Sequence, residues 1–263
     1  MCTKWVESYL GRIKRRIIRL RAGSIDTLGF PLIESRKYLD RLLRELARNS
    51  SKVFFLQIGA NDGKRFDPIW DFVNSNRETV SGIVVEPVQE YFEELRNNYN
   101  DFTNIVTINA AIHNTKRRME MYVFDSKKAS GFDGWVKGIA SFNAAHHTLS
   151  GIPKAVMRKV SVPCLSLESL ILARQINHLD LLLIDTEGYD AQILMSIDFD
   201  LIKPSLIYFE HGIPSGVMSR RMFRKVANRL TRNGYRLFID NYDAIAIGPV
   251  CKDVPVEMAD YKN

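Results

Sequence analysis

Short, nearly unbroken apolar runs separated by helical patterns constrain this chain most. Val53–Ile58 is the first, and Ile83–Val85, Ile105–Ile108, Leu181–Ile184 and Leu206–Phe209 follow it. A strand with one face in water alternates polar and apolar residues, whereas a short continuous apolar run suits a strand covered on both faces. Between the runs lie helix-period segments at about 89–98, 165–174, around Ile193 and Leu194, and at 220–232, the last basic and ending at Gly234. Repeated β-then-α units predict an open, doubly wound, Rossmann-like α/β sheet, mostly parallel, with helices on both faces. Tyr235–Ile239 and Ala244–Ile247 flank Asp240-Asn241 as a hairpin, which makes one strand of the sheet antiparallel. Met119–Phe124 alternates and reads as an added strand.

The sequence divides into three parts. Residues 1–50 form a helical extension, 51–250 the α/β domain, and 251–263 a tail. Within the domain, residues 125–158 carry Gly131, Gly134, Gly138, Gly151 and Pro153 and lack periodicity. So long an irregular stretch is expected to be a lid or acceptor-binding region. Order resumes at Val160–Val162, and Ser166 or a neighbour starts the next helix.

The net charge of +7 raises nucleic acid as a partner. Residues 1–22, however, hold seven basic residues and one acid, leaving the remainder at +1. A basic stripe across the fold is therefore not expected, and neither is nucleic-acid binding. Residues 1–22 read as an amphipathic helix, with Trp5, Tyr9, Ile13 and Ile17 on one face and arginines mostly opposite. Two roles stay open for it: packing onto the domain or a second subunit, which would give a homo-oligomer, or docking on a protein or an anionic membrane surface. No apolar run approaches the roughly 18 residues of a membrane span, and no secretory h-region precedes the domain. Three scattered cysteines without a C-x-x-C pair indicate neither a disulfide framework nor a zinc knuckle. A cytoplasmic, reducing compartment, with membrane contact only peripheral, is the expectation.

In a doubly wound sheet, ligands bind beyond the carboxyl ends of the strands where the strand order reverses. After the first strand comes Gly59-Ala60-Asn61-Asp62-Gly63. A dinucleotide site needs G-x-G-x-x-G, whose helix N-terminus receives a pyrophosphate. This turn has two glycines, and Asp62 would repel a pyrophosphate. A cofactor with a cationic centre and no phosphate fits better, and S-adenosylmethionine is one. Glu86, 23 residues after Gly63 at the end of the second strand, is placed to accept from ribose hydroxyls. Asn109-Ala110-Ala111-Ile112 ends the third strand with small residues that leave room for an adenine ring. The cofactor set is thus Gly59, Ala60, Asn61, Asp62, Gly63, Glu86, Pro87, Ala111 and Asp185.

The most apolar strand ends in Asp185-Thr186-Glu187-Gly188. If this segment is extended, Asp185 and Glu187 share one side of the chain and face the crevice. A carboxylate there could take a proton from an attacking hydroxyl, stabilise a sulfonium, or hold a metal; it could also merely cap the next helix. Asp185 is the first candidate base, His211 the second and Glu187 the third. His211, in Phe209-Glu210-His211, has an ordinary pKa suited to proton transfer near neutrality. Asp185, Glu187 and Glu210 are also candidate ligands for a divalent metal such as magnesium. His146 and His147 lie in the lid region and lack a third ligand at fixed spacing; His113 and His178 read as structural or exposed.

Taken in order, these pieces resemble the FkbM family of methyltransferases. The resemblance runs over about residues 52–247, through Phe55-Leu-Gln-Ile-Gly-Ala-Asn-Asp-Gly63, Asp67-Pro68, Val85-Glu86-Pro87-Val88, Asn109-Ala110-Ala111-Ile112, Ser141-Phe142, Val162-Pro163-Cys164-Leu165-Ser166-Leu167, Ile184-Asp185-Thr186-Glu187-Gly188 and Phe209-Glu210-His211. It implies a seven-stranded class I methyltransferase fold with an antiparallel last strand. It further implies S-adenosylmethionine held by Gly59, Asn61, Glu86 and the Ala111 region, and methylation of an oxygen on a sugar, glycan or related small acceptor. The chain departs from the family in carrying Glu168 after Leu167, where an aspartate is frequent.

Two other readings compete. A nicotinamide-dependent oxidoreductase is disfavoured by the missing third glycine and by the lack of any Tyr-x-x-x-Lys pair. A non-catalytic binding module would place its working part in residues 1–22.

Overall fold

The computed structural model describes residue 25 and residues 28–125, 127–128, 138–149 and 151–249. The amphipathic helix expected at 1–22, residues 126, 129–137 and 150 of the 125–158 stretch, and the tail at 251–263 lie outside the described residues.

In chain order the elements are α1 (Ser35–Asn49), β1 (Val53–Ile58), α2 (Trp70–Ser75), β2 (Val80–Val85), α3 (Gln89–Asn98), β3 (Ile105–Ile108), β4 (Ala111–Ile112), β5 (Arg118–Phe124), α4 (His146–Leu149), β6 (Met157–Leu165), α5 (Leu167–Ala173), β7 (Leu181–Ile184), α6 (Asp190–Ser196), β8 (Leu206–Glu210), α7 (Arg220–Arg232), β9 (Arg236–Ile239) and β10 (Asp243–Ile247). Seven strands form one sheet in the order β3-β2-β1-β7-β8-β10-β9. Neighbours from β3 to β8 run parallel, while β10 is antiparallel to both β8 and β9. The winding reverses between β1 and β7, and the crevice beyond those two strand ends is where such sheets bind ligands.

The unbroken apolar runs are explained by two cores, one on each face of the sheet. Leu56 and Ile58 of β1, with Leu182 and Ile184 of β7, pack into one cluster with α5, α6 and α7. Val53 and Phe55, with Leu181 and Leu183, pack into the other with α1 and Phe72 and Val73 of α2. Successive side chains of a strand point to opposite faces, so a strand with a core on each side can spare few polar positions. Helix ends follow their local chemistry. The Ser166 side chain accepts from Ser169 N to begin α5, and Ser219 accepts from Met222 N to begin α7. Before α1, Leu32 bridges to Ile239 in parallel, covering the outer edge of β9.

Three expectations meet the structure with different outcomes. The added strand expected at 119–124 forms, outside the main sheet. β5 pairs antiparallel with β6 over seven positions, and β4 joins β6 in parallel, giving a second sheet of order β4-β6-β5. Its apolar face, including Met121, Val123 and Val162, closes against Val88, Tyr91 and Ala111. The irregular 125–158 stretch is also shorter than expected, because β6 starts at Met157 and the segment contains α4 and a 3-10 turn at Lys154–Val156. Thirdly, Asp185 to Gly188 is not extended: Glu187 has φ 52° and Gly188 φ 105°, so the chain turns sharply there.

β2 carries no side chain at Gly82, where Phe55 crosses from β1. A Cβ at Gly82 would stand 2.5 Å from the Phe55 ring and 2.7 Å from its carbonyl oxygen. Gly82→Ala is therefore expected to lower the unfolding free energy by about 1–3 kcal/mol. Equilibrium urea denaturation checks this; an unchanged midpoint would refute the close contact.

Candidate functional site

The turn after β1 is held by backbone contacts to both neighbouring strands. Gly59 N and Ala60 N donate to the Val85 carbonyl of β2, and Asp185 N, just past β7, donates to the Ile58 carbonyl. Gly59 takes φ 83°, and a Cβ on it would lie 1.8 Å from the Asp185 carbonyl oxygen. Only glycine permits that approach. Asn61 also adopts the left-handed conformation, at φ 51°, which asparagine tolerates better than most residues.

Glu86 organises the other side of the crevice. It is 4% exposed; its Oε2 accepts from Asn61 N and its Oε1 from Val88 N, each at 2.8 Å. Burial raises its pKa to about 7 against the pull of these two N–H groups. Asn109 donates to the carbonyls of Glu86 and Pro87, fixing the strand end. Asp62 is turned inward: its Oδ1 accepts from Lys64 N and Arg65 N, and Arg65 pairs with it at 3.6 Å.

These groups line one cavity of about 220 Å³. Gly59, Ala60, Asn61, Asp62, Glu86, Pro87, Ala111 and Asp185 all reach it, as does Glu187. Gly63 does not line it; it lies beneath the turn, where a Cβ would stand 2.3 Å from Leu95 and 2.6 Å from the Tyr99 ring. The donor set fits a nucleoside with a cationic centre. Glu86 offers a carboxylate to a diol, the small Ala110 and Ala111 with Met121 offer an apolar slot, and Asp185 and Glu187 supply negative charge.

Asp185 is exposed at the mouth of the crevice and crowded by other acids. Loss of bulk water and the charges of Glu187, Asp190 and Asp243 hold its pKa well above the ordinary carboxylate value, while Arg36 opposes the shift. Glu187 is tied to the 138–149 segment: its Oε2 meets His146 Nε2 at 2.8 Å, and its carbonyl accepts from Ser141 Oγ at 2.7 Å. Sequence reasoning left His146 without a partner; the bond forms because the turn at Glu187 and Gly188 swings the carboxylate toward α4. Tyr189 completes this wall, stacked on His113 and edge-on to Phe142.

Two candidates are not brought to the cavity. His211 is fully buried, its Nε2 donates to the Asp240 carbonyl, its Nδ1 accepts from Ile213 N, and its ring packs edge-on against Phe223. Burial lowers its pKa to about 4, so the ring is neutral and both nitrogens are engaged. The expectation of a base there is corrected: β8 ends one residue earlier, and the chain turns His211 into the core beneath α7. Glu210 does not line the cavity either, and its pKa is raised by burial and then by Asp185. Among the described residues, no group of three or more His, Cys, Asp or Glu side chains is arranged to hold a metal ion, so Asp185, Glu187 and Glu210 do not converge as ligands. Sequence reasoning missed several cavity residues, among them the polar Arg36, Gln57 and Asp67. Gln57 had a signal, being the one polar side chain in the apolar run of β1.

A sheet of this order, with acids past the ends of β2 and β7 facing one cavity, is the architecture of class I methyltransferases, whose methyl donor is S-adenosylmethionine. The family profile described as "Methyltransferase FkbM domain" matches residues 57–237, and the chain belongs to that family. No curated protein matches the sequence. Among solved structures, it is similar to the Methanococcus jannaschii fibrillarin pre-rRNA processing protein, 12% identical over 76% of this chain and 67% of that one, with a TM-score of 0.40. It is similar to precorrin-6y C5,15-methyltransferase from Geobacter metallireducens GS-15, 13% identical over 80% and 86%, with a TM-score of 0.40. Aeropyrum pernix fibrillarin, solved with natively bound S-adenosyl-L-methionine, is 11% identical over 75% and 67%, with a TM-score of 0.42. No helix among the described residues is long and apolar enough to cross a membrane.

Asp190 supports the turn from below. It is 1% exposed and accepts from Thr186 N, Thr186 Oγ1 and Glu210 N. Burial nevertheless raises its pKa from 3.8 to about 7. A carboxyl with a raised folded-state pKa stabilises fully below its unfolded value, and that stability is lost as pH rises through the folded value. Asp190→Asn lacks this titration, so the stability gap between wild type and variant should shift in the variant's favour as pH rises from about 4 to about 7. Urea denaturation across that range reads the gap; a constant gap would contradict the assignment. Separately, Glu86→Ala should weaken S-adenosylhomocysteine binding at least about tenfold by calorimetry, because the ribose loses a charged acceptor.

Proposed function

We propose that this methyltransferase transfers the methyl group to a hydroxyl oxygen of a sugar, glycan or related small acceptor, with Asp185 as the base. The observation that carries this reading is Asp185 itself, a carboxylate open to the cavity with its pKa held above the ordinary range. S-adenosylmethionine supplies an electrophilic methyl on a sulfonium. A neutral hydroxyl attacks such a methyl poorly, and a carboxylate with raised proton affinity is better matched to accept its proton than an ordinary aspartate. Glu187 is the second candidate, but its bond to His146 engages one of its oxygens.

Aromatic rings support a ring-shaped acceptor. Tyr189 and Phe142 line the inner wall. At the rim stands Phe66, 69% exposed and held at φ 61°, a backbone conformation that a bulky residue adopts only at a cost. Aromatic faces in these positions suit the apolar face of a sugar, while the acids take its hydroxyls. The FkbM resemblance points to the same acceptor class.

The test has two parts. Purified protein is titrated with S-adenosylhomocysteine, and labelled methyl transfer is then screened over sugars and oligosaccharides. Micromolar binding with label appearing as an alkali-stable methyl ether supports the reading; transfer only to amines or carbon centres overturns the acceptor. Asp185→Asn is expected to lower kcat by about 10²–10⁴-fold, with affinity for S-adenosylhomocysteine, whose sulfur is uncharged, little changed. Wild-type kcat should rise with pH through the raised Asp185 pKa, because the ionised form is the base. An Asp185→Asn enzyme with normal turnover removes this residue from the mechanism.

A further inference from the structure

On the α1 side of the sheet, the cavity is lined by Arg36, Gln57, Asp67 and Leu183. Gln57 and Leu183 are register partners on β1 and β7, so their side chains share one face. Gln57 is 2% exposed, and its Nε2 donates to Asp67 Oδ2 at 2.6 Å. That bond turns Oε1 the other way, and Oε1 has no hydrogen-bond partner. A buried carbonyl oxygen left in this condition is costly, and Gln57 borders the cavity, so a ligand donor entering there would satisfy it. Asp67, beside it, adds negative potential.

Arg36 brings the opposite charge. It is exposed on the first turn of α1 and reaches the cavity, close enough to Asp185 and Asp243 for its charge to act on both. Its position is fixed by its neighbour. Ser35 N and Ser35 Oγ both donate to Asp240 Oδ2, and Ser35 Oγ also reaches Asp243. The helix start is thus latched onto the β9–β10 turn. Arg36, Asp240 and Asp243 all lie outside the family segment 57–237.

A hydrogen-bond acceptor for a cation and a guanidinium for an anion, at one end of one cavity, match an α-amino acid. We propose that Arg36 and Gln57 form the subsite for the amino-acid end of S-adenosylmethionine, Arg36 taking the carboxylate and Gln57 Oε1 the ammonium. α1 is then part of the cofactor site, and the donor lies with its adenosine toward Glu86 and its methionine toward α1. This inference rests on the reading of the cavity as the cofactor site.

The experiment compares two ligands that share the nucleoside. S-adenosylhomocysteine carries the amino-acid end; 5′-methylthioadenosine lacks it. Each is titrated calorimetrically into the full chain as wild type, Arg36→Met and Arg36→Lys, with thermal melting to check folding. Wild type should prefer S-adenosylhomocysteine. Arg36→Met should bind it about 10–100-fold more weakly, the scale of a lost charged hydrogen bond, while its affinity for 5′-methylthioadenosine stays unchanged. Arg36→Lys should recover part of the loss, because the charge returns without the guanidinium fork. Equal weakening of both ligands, or none of either, overturns the subsite but leaves the cavity as the cofactor site. Failure of wild type to bind either ligand overturns both.

Discussion

Everything in the crevice depends on how closely the turn after β1 approaches the end of β7. Gly59 packs its Cα where a side chain would collide with the Asp185 carbonyl. That contact brings two chain reversals side by side at the point where the sheet changes winding direction. Glu86 then secures the turn from the other flank, its two oxygens spent on the amides of Asn61 and Val88. A carboxylate used in this way is scaffold first, and each oxygen keeps a second lone pair available to a hydroxyl in the cavity.

The crevice concentrates like charge. Burial raises the proton affinity of Asp185 and Glu210, and the charges of Glu187, Asp190 and Asp243 raise it further. Such a cluster disfavours full ionisation of its own members and favours a bound cation. A sulfonium with an ammonium nearby is that kind of ligand. The second sheet and α4 bring a wall to this charge: Ser141 and His146 hold the Glu187 turn, and Tyr189 and Phe142 flank it. The acids are thus partly walled from bulk solvent, which strengthens their action on whatever the cavity holds.

Much of the fold was legible. The runs at Val53–Ile58 and Leu181–Ile184 read as strands covered on both faces because two cores leave few polar positions, and the structure has that pair of cores. The glycine turn, Glu86 and Asp185 could be read as one set because the doubly wound topology sends consecutive strand ends to a common edge. His211 could not be placed: proximity to the edge in sequence says nothing about which way the chain turns after Glu210. Glu187 was read on an extended chain, and the left-handed turn that brings it to His146 depends on Gly188 and on Ser141 holding its carbonyl.

The sequence by itself determined the periodicities, and with them the doubly wound sheet, the two cores and the edge where the acids collect, since these follow from local patterns and the chirality of β-α-β units. Tertiary structure alone decided which of those acids face the cavity, that β5 leaves the main sheet for β6, and that Arg36 enters from a helix preceding β1. Each of these rests on contacts between residues far apart in the chain, such as Ser35 with Asp240 and Ser141 with Glu187, and no local spacing encodes such a contact.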